Sequence, residues 1–218
     1  MSEPRTNIPH IKVCGLKSFE MIDVAVSAGA SMVGFMHFPK SPRHVGIDDL
    51  GELISYVRGR AESVVITVNP DNSLVAEIAV FDPDFIQLHG SEPAERVEAI
   101  RLEGGIPVIK AVPIGDEEDL NAVADYDEVA DRLLLDAKPP KTATRPGGLG
   151  RTFDWSLLKA LDPELEFMLS GGLTPDNVQQ AIRQVSPWGV DVSSGVESAR
   201  GEKDPDLIRR FIEAVKSA

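Results

Sequence analysis

The sequence predicts an α/β protein built as a single closed barrel of eight parallel strands ringed by helices, a (β/α)8 or TIM barrel. Short apolar runs alternate with longer amphipathic stretches from end to end. Eight such pairs fit within 218 residues, the size of a small barrel. No composition shift or linker divides the chain, so 1–218 reads as one domain with a polar N-terminal extension at 1–9.

The expected strands are 11–13, 32–35, 64–68, 85–88, 107–111, 132–136, 167–169 and 189–192. Most are apolar without clean alternation, which suits parallel strands covered on both faces. Helices are expected at 18–30, 48–59, 71–80, 92–103, 116–124, 154–160, 175–184 and 204–216. Ser18 can cap the first, which ends at Gly29. Thr174-Pro175-Asp176 reads as N-cap, first-turn proline and first-turn acid, and Asp204-Pro205-Asp206 opens the last helix in the same way. The rival architecture, an open doubly wound sheet, usually carries a glycine fingerprint after its first strand. Here that strand is followed by Cys14-Gly15-Leu16-Lys17-Ser18, with one glycine.

The composition, 42% apolar and 26% charged, is ordinary for a soluble globular protein. The formal charge of −13 argues against nucleic acid. A single cysteine excludes an intramolecular disulfide and a cysteine-rich zinc site, and it fits a reducing cytoplasm. The first residues lack the apolar core of a signal peptide, and no apolar run approaches the roughly 20 residues that cross a bilayer. A monomer is the expected state, from the acidic surface and the lack of an evident exposed apolar stripe. One local exception to the acidic balance stands out: Lys138, Lys141, Arg145 and Arg151 cluster after Asp136 with no acid among them. They read either as a solvated loop or as a basic flap beside an anion site.

Loops after strands 7 and 8 of such barrels often bind phosphate. Ser170-Gly171-Gly172 and Ser193-Ser194-Gly195 occupy those two places. Glycines let backbone N–H groups approach an anion, and serines add hydroxyl donors. Val196-Glu197-Ser198 is expected to start a short extra helix facing the phosphate.

The remaining candidates sit at strand exits, where these barrels hold reacting groups. A buried lone cysteine is more often a core residue than a reactive one. Cys14 stands apart because it ends strand 1, and a thiol is within reach of general-base work if its pKa is modestly lowered. Asp136 ends a strand of three leucines. Desolvation there would raise a carboxylate pKa and favour a proton donor, against the plainer reading of a loop-capping acid. Arg43, in a proline-rich turn after strand 2, reads either as a surface arginine or as a bidentate clamp on a carboxylate. Gln87 and His89 share one face of strand 4 and are expected to line the pocket mouth. No residue pattern suggests a metal or dinucleotide site. The residues alone reach a cofactor-free proton-transfer enzyme acting on a phosphorylated metabolite, and no substrate.

Seven blocks, in order, carry a more specific signal: 12–16 (KVCGL), 33–35 with 38–43 (VGF, FPKSPR), 87–92 (QLHGSE), 134–136 (LLD), 147–150 with 153–155 (GGLG, FDW), 170–173 with 177–178 (SGGL, NV) and 189–197 (GVDVSSGVE). Over almost its whole length the chain resembles the phosphoribosylanthranilate isomerase family of tryptophan biosynthesis. That resemblance implies a (β/α)8 barrel performing an Amadori rearrangement of N-(5-phosphoribosyl)anthranilate without a cofactor. It implies Asp136 as general acid, Cys14 as general base, Arg43 on the anthranilate carboxylate and the two glycine–serine loops on the phosphate. Lys17 and Leu149 stand where the family often has threonine, and Asp191 falls in a family motif without an assigned role. Rival readings are the histidine-pathway isomerase, which uses two aspartates and two phosphate sites, and indole-glycerol-phosphate synthase, which uses a lysine–glutamate site. From another class comes a non-catalytic sugar-phosphate-binding module, to which loss of Cys14 or Asp136 would have pointed.

Overall fold

The computed structural model describes residues 9–138 and 152–218. Lys141, Arg145, Arg151 and the 147–150 block lie outside the described residues. Strands β1 (His10–Cys14), β2 (Met32–Met36), β3 (Glu62–Thr67), β4 (Phe85–Leu88), β5 (Val108–Ile114), β6 (Arg132–Ala137), β7 (Phe167–Leu169) and β8 (Gly189–Val192) form a closed barrel in chain order. Every pair is parallel, and β8 returns to β1. All eight expected strands are present, several longer by one or two residues than their apolar runs.

Alternation along the strands sorts side chains between two cores. Cys14, Met32, Val64, Ile66, Ile109, Ala111, Leu134 and Met168 fill the barrel interior. Val13, Val33, Val65, Ile86, Leu88, Val108, Leu133, Leu135, Val190 and Val192 face the helical ring. Parallel strands are thus buried on both faces, which is why their sequences read as continuous apolar runs.

The ring holds α1 (Phe19–Ala28), α2 (Ile47–Val57), α3 (Asn72–Ala79), α4 (Ala94–Gly104), α5 (Asn121–Asp127), α6 (Val178–Val185) and α7 (Pro205–Lys216). Ser18 caps α1 through Met21 N, and Gly29 ends it at φ +113°, a left-handed conformation that glycine adopts without steric cost. Asp204 caps α7, with Pro205 as its first residue.

Four expected elements differ. The helix expected at 116–124 opens as a 3₁₀ turn, Glu117–Leu120, capped by Asp116, and α5 begins only at Asn121. The expected helix at 154–160 is a 3₁₀ turn, Trp155–Ala160. Its two buried residues, Trp155 and Leu158, are three apart, the period of a 3₁₀ helix. The helix expected from 175 starts at Val178, because Asn177 Oδ1 accepts from Thr174 N and holds the intervening residues in a turn. No extra helix starts at Val196. A single 3₁₀ turn, Ser194–Val196, leads directly into a hairpin of β9 (Glu197–Ala199) and β10 (Glu202–Lys203). Gly201 closes that hairpin at φ +84° and donates its N–H to Glu197 Oε2. Among the described residues, no helix is long and apolar enough to cross a membrane.

Candidate active site

Inward parity governs which polar groups project into the barrel toward its C-terminal mouth. On β1 it selects Lys12 and Cys14, on β4 Gln87, on β6 Asp136 and on β8 Asp191. All five are at least nine-tenths buried. β1 and β6 stand three steps apart around the closed ring, so the thiol and the carboxylate enter from well-separated sectors of the mouth.

Asp136 is fixed at both oxygens. Oδ1 accepts from Ala137 N at 2.9 Å, and Oδ2 lies 3.1 Å from His89 Nε2. His89 Nδ1 is 2.9 Å from Gln87 Nε2. With the amide N–H donating to Nδ1, the imidazole carries its proton on Nε2 and donates it to Asp136. Gln87 therefore sits one layer below the mouth, 1% exposed, and reaches it through His89. The sequence expectation put both residues at the mouth; only His89 is partly exposed.

The loop that carries His89 is anchored from outside the barrel. Lys110 on β5 faces the helical ring and donates to Leu88 O at 3.3 Å, Gly90 O at 2.9 Å and Glu92 Oε2 at 2.8 Å. Glu92 in turn accepts from Asn69 N and Gly90 N. Burial pulls the Lys110 pKa down, against the stabilising Glu92 carboxylate. Nothing in the sequence flagged Lys110, since a lysine within an apolar strand gives no hint of its partner 18 residues earlier.

Arg43 is 3% exposed. Its Nε and Nη2 donate to the two Glu197 oxygens at 2.6 and 2.8 Å. Glu197 also accepts from Lys203 Nζ at 2.8 Å. Burial raises the Glu197 pKa, but hydrogen bonds from Arg43 and Lys203 and the Lys203 charge outweigh it, leaving the group at about 2. The surface-arginine reading is thus excluded. Glu197 engages two of five guanidinium N–H groups and leaves the others directed elsewhere. Gly15 makes room for this arrangement: its φ is +82°, and a Cβ there would lie 2.6 Å from Arg43 Cδ. Glu197 and Lys203 were missed because their hairpin looked like a helix start.

The two glycine–serine loops press against one another. A Cβ on Gly195 would lie 1.8 Å from Leu173 O, so the strand 8 loop abuts the strand 7 loop backbone to backbone. Gly171 and Gly172 are both left-handed, at φ +87° and +63°. Consecutive N–H groups in such a turn form an anion-binding concavity. Ser170 Oγ instead turns inward and donates to Asp191 Oδ2 at 3.0 Å. Ser193 Oγ donates to Cys14 O at 3.1 Å, and Lys203 Nζ donates to Ser193 O at 2.8 Å. Lys138, from the basic cluster, pairs with Asp119 on the surface. Among the described residues, no three His, Cys, Asp or Glu side chains are grouped to hold a metal ion.

A closed barrel whose mouth gathers a thiol, a carboxylate, an imidazole and paired glycine loops defines a class: barrel enzymes that move protons on anionic small molecules. The particular family follows from likeness over the whole chain. The family model described as N-(5'-phosphoribosyl)anthranilate (PRA) isomerase matches residues 11–214, and the chain belongs to that family. It is 52% identical over 209 residues to the N-(5'-phosphoribosyl)anthranilate isomerase of Rhodopseudomonas palustris strain BisB5, covering 95% of this chain and 96% of that protein. A solved phosphoribosyl anthranilate isomerase in complex with reduced 1-(o-carboxyphenylamino)-1-deoxyribulose 5-phosphate superposes with a TM-score of 0.84 at 34% identity, covering 96% of this chain and all of that one. Monomers generated from the dimeric Thermotoga maritima enzyme superpose with a TM-score of 0.83 at 35% identity, with the same coverage.

Proposed function

We infer that this chain isomerises N-(5'-phosphoribosyl)anthranilate to 1-(2-carboxyphenylamino)-1-deoxyribulose 5-phosphate, an Amadori rearrangement in tryptophan biosynthesis. Family membership over residues 11–214 carries this reading. Asp136 protonates the ribose ring oxygen, and the ring opens to a Schiff base. Cys14 removes the proton from C2 of the sugar. The resulting enolamine tautomerises to the ketone. The net change moves hydrogen from C2 to C1 and needs no external oxidant or reductant.

His89 orients the acid by its contact with Asp136, and Gln87 sets the imidazole tautomer that makes that contact. Arg43, held by Glu197, offers its remaining N–H groups to the anthranilate carboxylate. Gly171, Gly172, Ser193, Ser194 and Gly195 bind the phosphate through backbone N–H and hydroxyl groups. A rigid, preorganised acid and base can supply much of the rate, since each 1.4 kcal/mol removed from the barrier is worth about tenfold. The enzyme works in the cytoplasm as a monomer; among the described residues the large exposed apolar side chains are Phe19 and Tyr56, which pack on each other at 4.6 Å, and Val80 and Leu102 on other elements.

The test generates phosphoribosylanthranilate in situ and follows loss of its fluorescence. Wild type should consume it, while Cys14→Ala and Asp136→Asn should lose turnover far more than affinity. If both variants turn over like wild type, the acid–base roles are wrong. If wild type is inactive but binds the product analogue, the chain is a sugar-phosphate-binding module.

A further inference from the structure

One buried cation stands next to the lone thiol and has no part in the rearrangement as written. Lys12 and Cys14 are two residues apart on β1, so both project into the barrel. Lys12 is fully buried. The β1–β8 register sets it directly opposite Asp191, and its Nζ donates to Asp191 Oδ1 at 2.8 Å. Asp191 accepts a second hydrogen bond from Ser170 Oγ. The ammonium is thus bound to the Asp191 carboxylate on the same inward face of β1 as the Cys14 thiol, where the charges of both groups act on it.

We propose that Lys12 is a positioning residue for the base: clamped by Asp191, its ammonium stabilises the Cys14 thiolate that takes the C2 proton. This rests on Cys14 being the base. During the step the sugar C–H electron pair moves into the enolamine, the proton goes to Sγ, and Lys12 keeps all three of its protons.

The surroundings of the thiol favour this role over mere satisfaction of Asp191. Gly34 leaves open the space beside Sγ; a Cβ there would lie 3.2 Å from it. Met32 and Ile66 pack in the same interior cluster and offer no charge. Four charged groups face Cys14. They are Lys12 from its own strand, Asp191 from β8, Lys203 from β10 and Arg43 from the loop after β2. Burial pushes the thiol pKa up and leaves it above its ordinary value, opposite to the lowering expected from the sequence; Lys12 is the strongest influence pulling it down, ahead of Lys203 and Arg43. Lys203 and Arg43 share Glu197 as counter-ion. Burial opposes the Lys12 charge as well, but Asp191 and Cys14 hold its pKa above the ordinary lysine value.

The chain has one cysteine, so its thiol can be read without interference. The pH dependence of thiolate ultraviolet absorbance, with the Cys14→Ser protein as blank, gives the Cys14 midpoint directly. The rate of iodoacetamide alkylation against pH gives it again. In Lys12→Gln, which keeps a hydrogen bond to Asp191 but not the charge, the midpoint should rise by about one unit or more. Alkylation below the midpoint should then slow about tenfold, and kcat should fall with KM little changed. Lys12→Arg, which keeps the charge, should stay near wild type in the titration. Should Lys12→Gln fail to fold, Lys12→Met/Asp191→Asn leaves no lone buried charge and should move the midpoint the same way. A Lys12→Gln titration that overlays wild type overturns the proposal, as does a Lys12→Arg shift as large as that of Lys12→Gln. Because the titration needs no substrate, it separates this outcome from failure of the isomerase reading.

Discussion

Replacing Glu197 with glutamine removes the anion that holds two buried cations. The side chains of Glu197, Arg43 and Lys203 are each 3–4% exposed. Glutamine keeps the shape, but its amide NH₂ faces a donor that the carboxylate oxygen had accepted. Removing one partner of a buried pair costs about 3–5 kcal/mol, because the remaining charges stay desolvated. The proton linkage gives a second figure. A fall in Glu197 pKa from 4.5 to about 2 corresponds to about 3 kcal/mol of folded-state preference for the ionised form, and solvent near the hairpin reduces this toward about 2. A loss of about 3 kcal/mol lowers the Tm of a chain this size by about 6–12 °C.

The pH dependence carries the sign. A carboxylate whose folded pKa is depressed contributes its full stability above its unfolded pKa. That contribution fades as pH falls from about 4.5 toward about 2. Urea denaturation of wild type and Glu197→Gln should therefore show a wide gap near neutral pH that narrows through this acid window. Equal stability of the two proteins near neutral pH, or a gap that is the same at every pH, would rule out this role for Glu197.

Two further perturbations test other parts of the architecture. Gly195→Ala places a Cβ 1.8 Å from Leu173 O; parting the two loops should cost about 1–3 kcal/mol and weaken competitive inhibition by inorganic phosphate about tenfold or more. Unchanged phosphate inhibition would detach these loops from the phosphate site. Lys110→Met leaves Glu92 buried with only backbone N–H partners, so the urea midpoint should report a loss of about 3 kcal/mol. Its kcat should fall as the His89 loop loosens; full stability with full kcat would show that the anchor is dispensable.

Apolar runs buried on both faces are local signals, so the eight barrel strands were legible in the chain. So were the caps at Ser18 and Asp204, which act within a turn of the residues that form them. Period-two alternation put Gln87 and His89 on one face of strand 4, and positions at strand exits marked Cys14 and Asp136. The resemblance to a family supplied their roles. The hairpin after β8 was not legible, because its reason lies elsewhere: Glu197 is held by Arg43, 154 residues away. Lys12 on an apolar strand acquires meaning only when β8 returns to β1 and sets Asp191 opposite it. Local sequence sets where strands, helices and candidate groups fall along the chain, since those depend on neighbours within a few residues. Only the closed barrel decided which charges share a counter-ion, because burying an ion pair depends on residues that meet solely through tertiary contact.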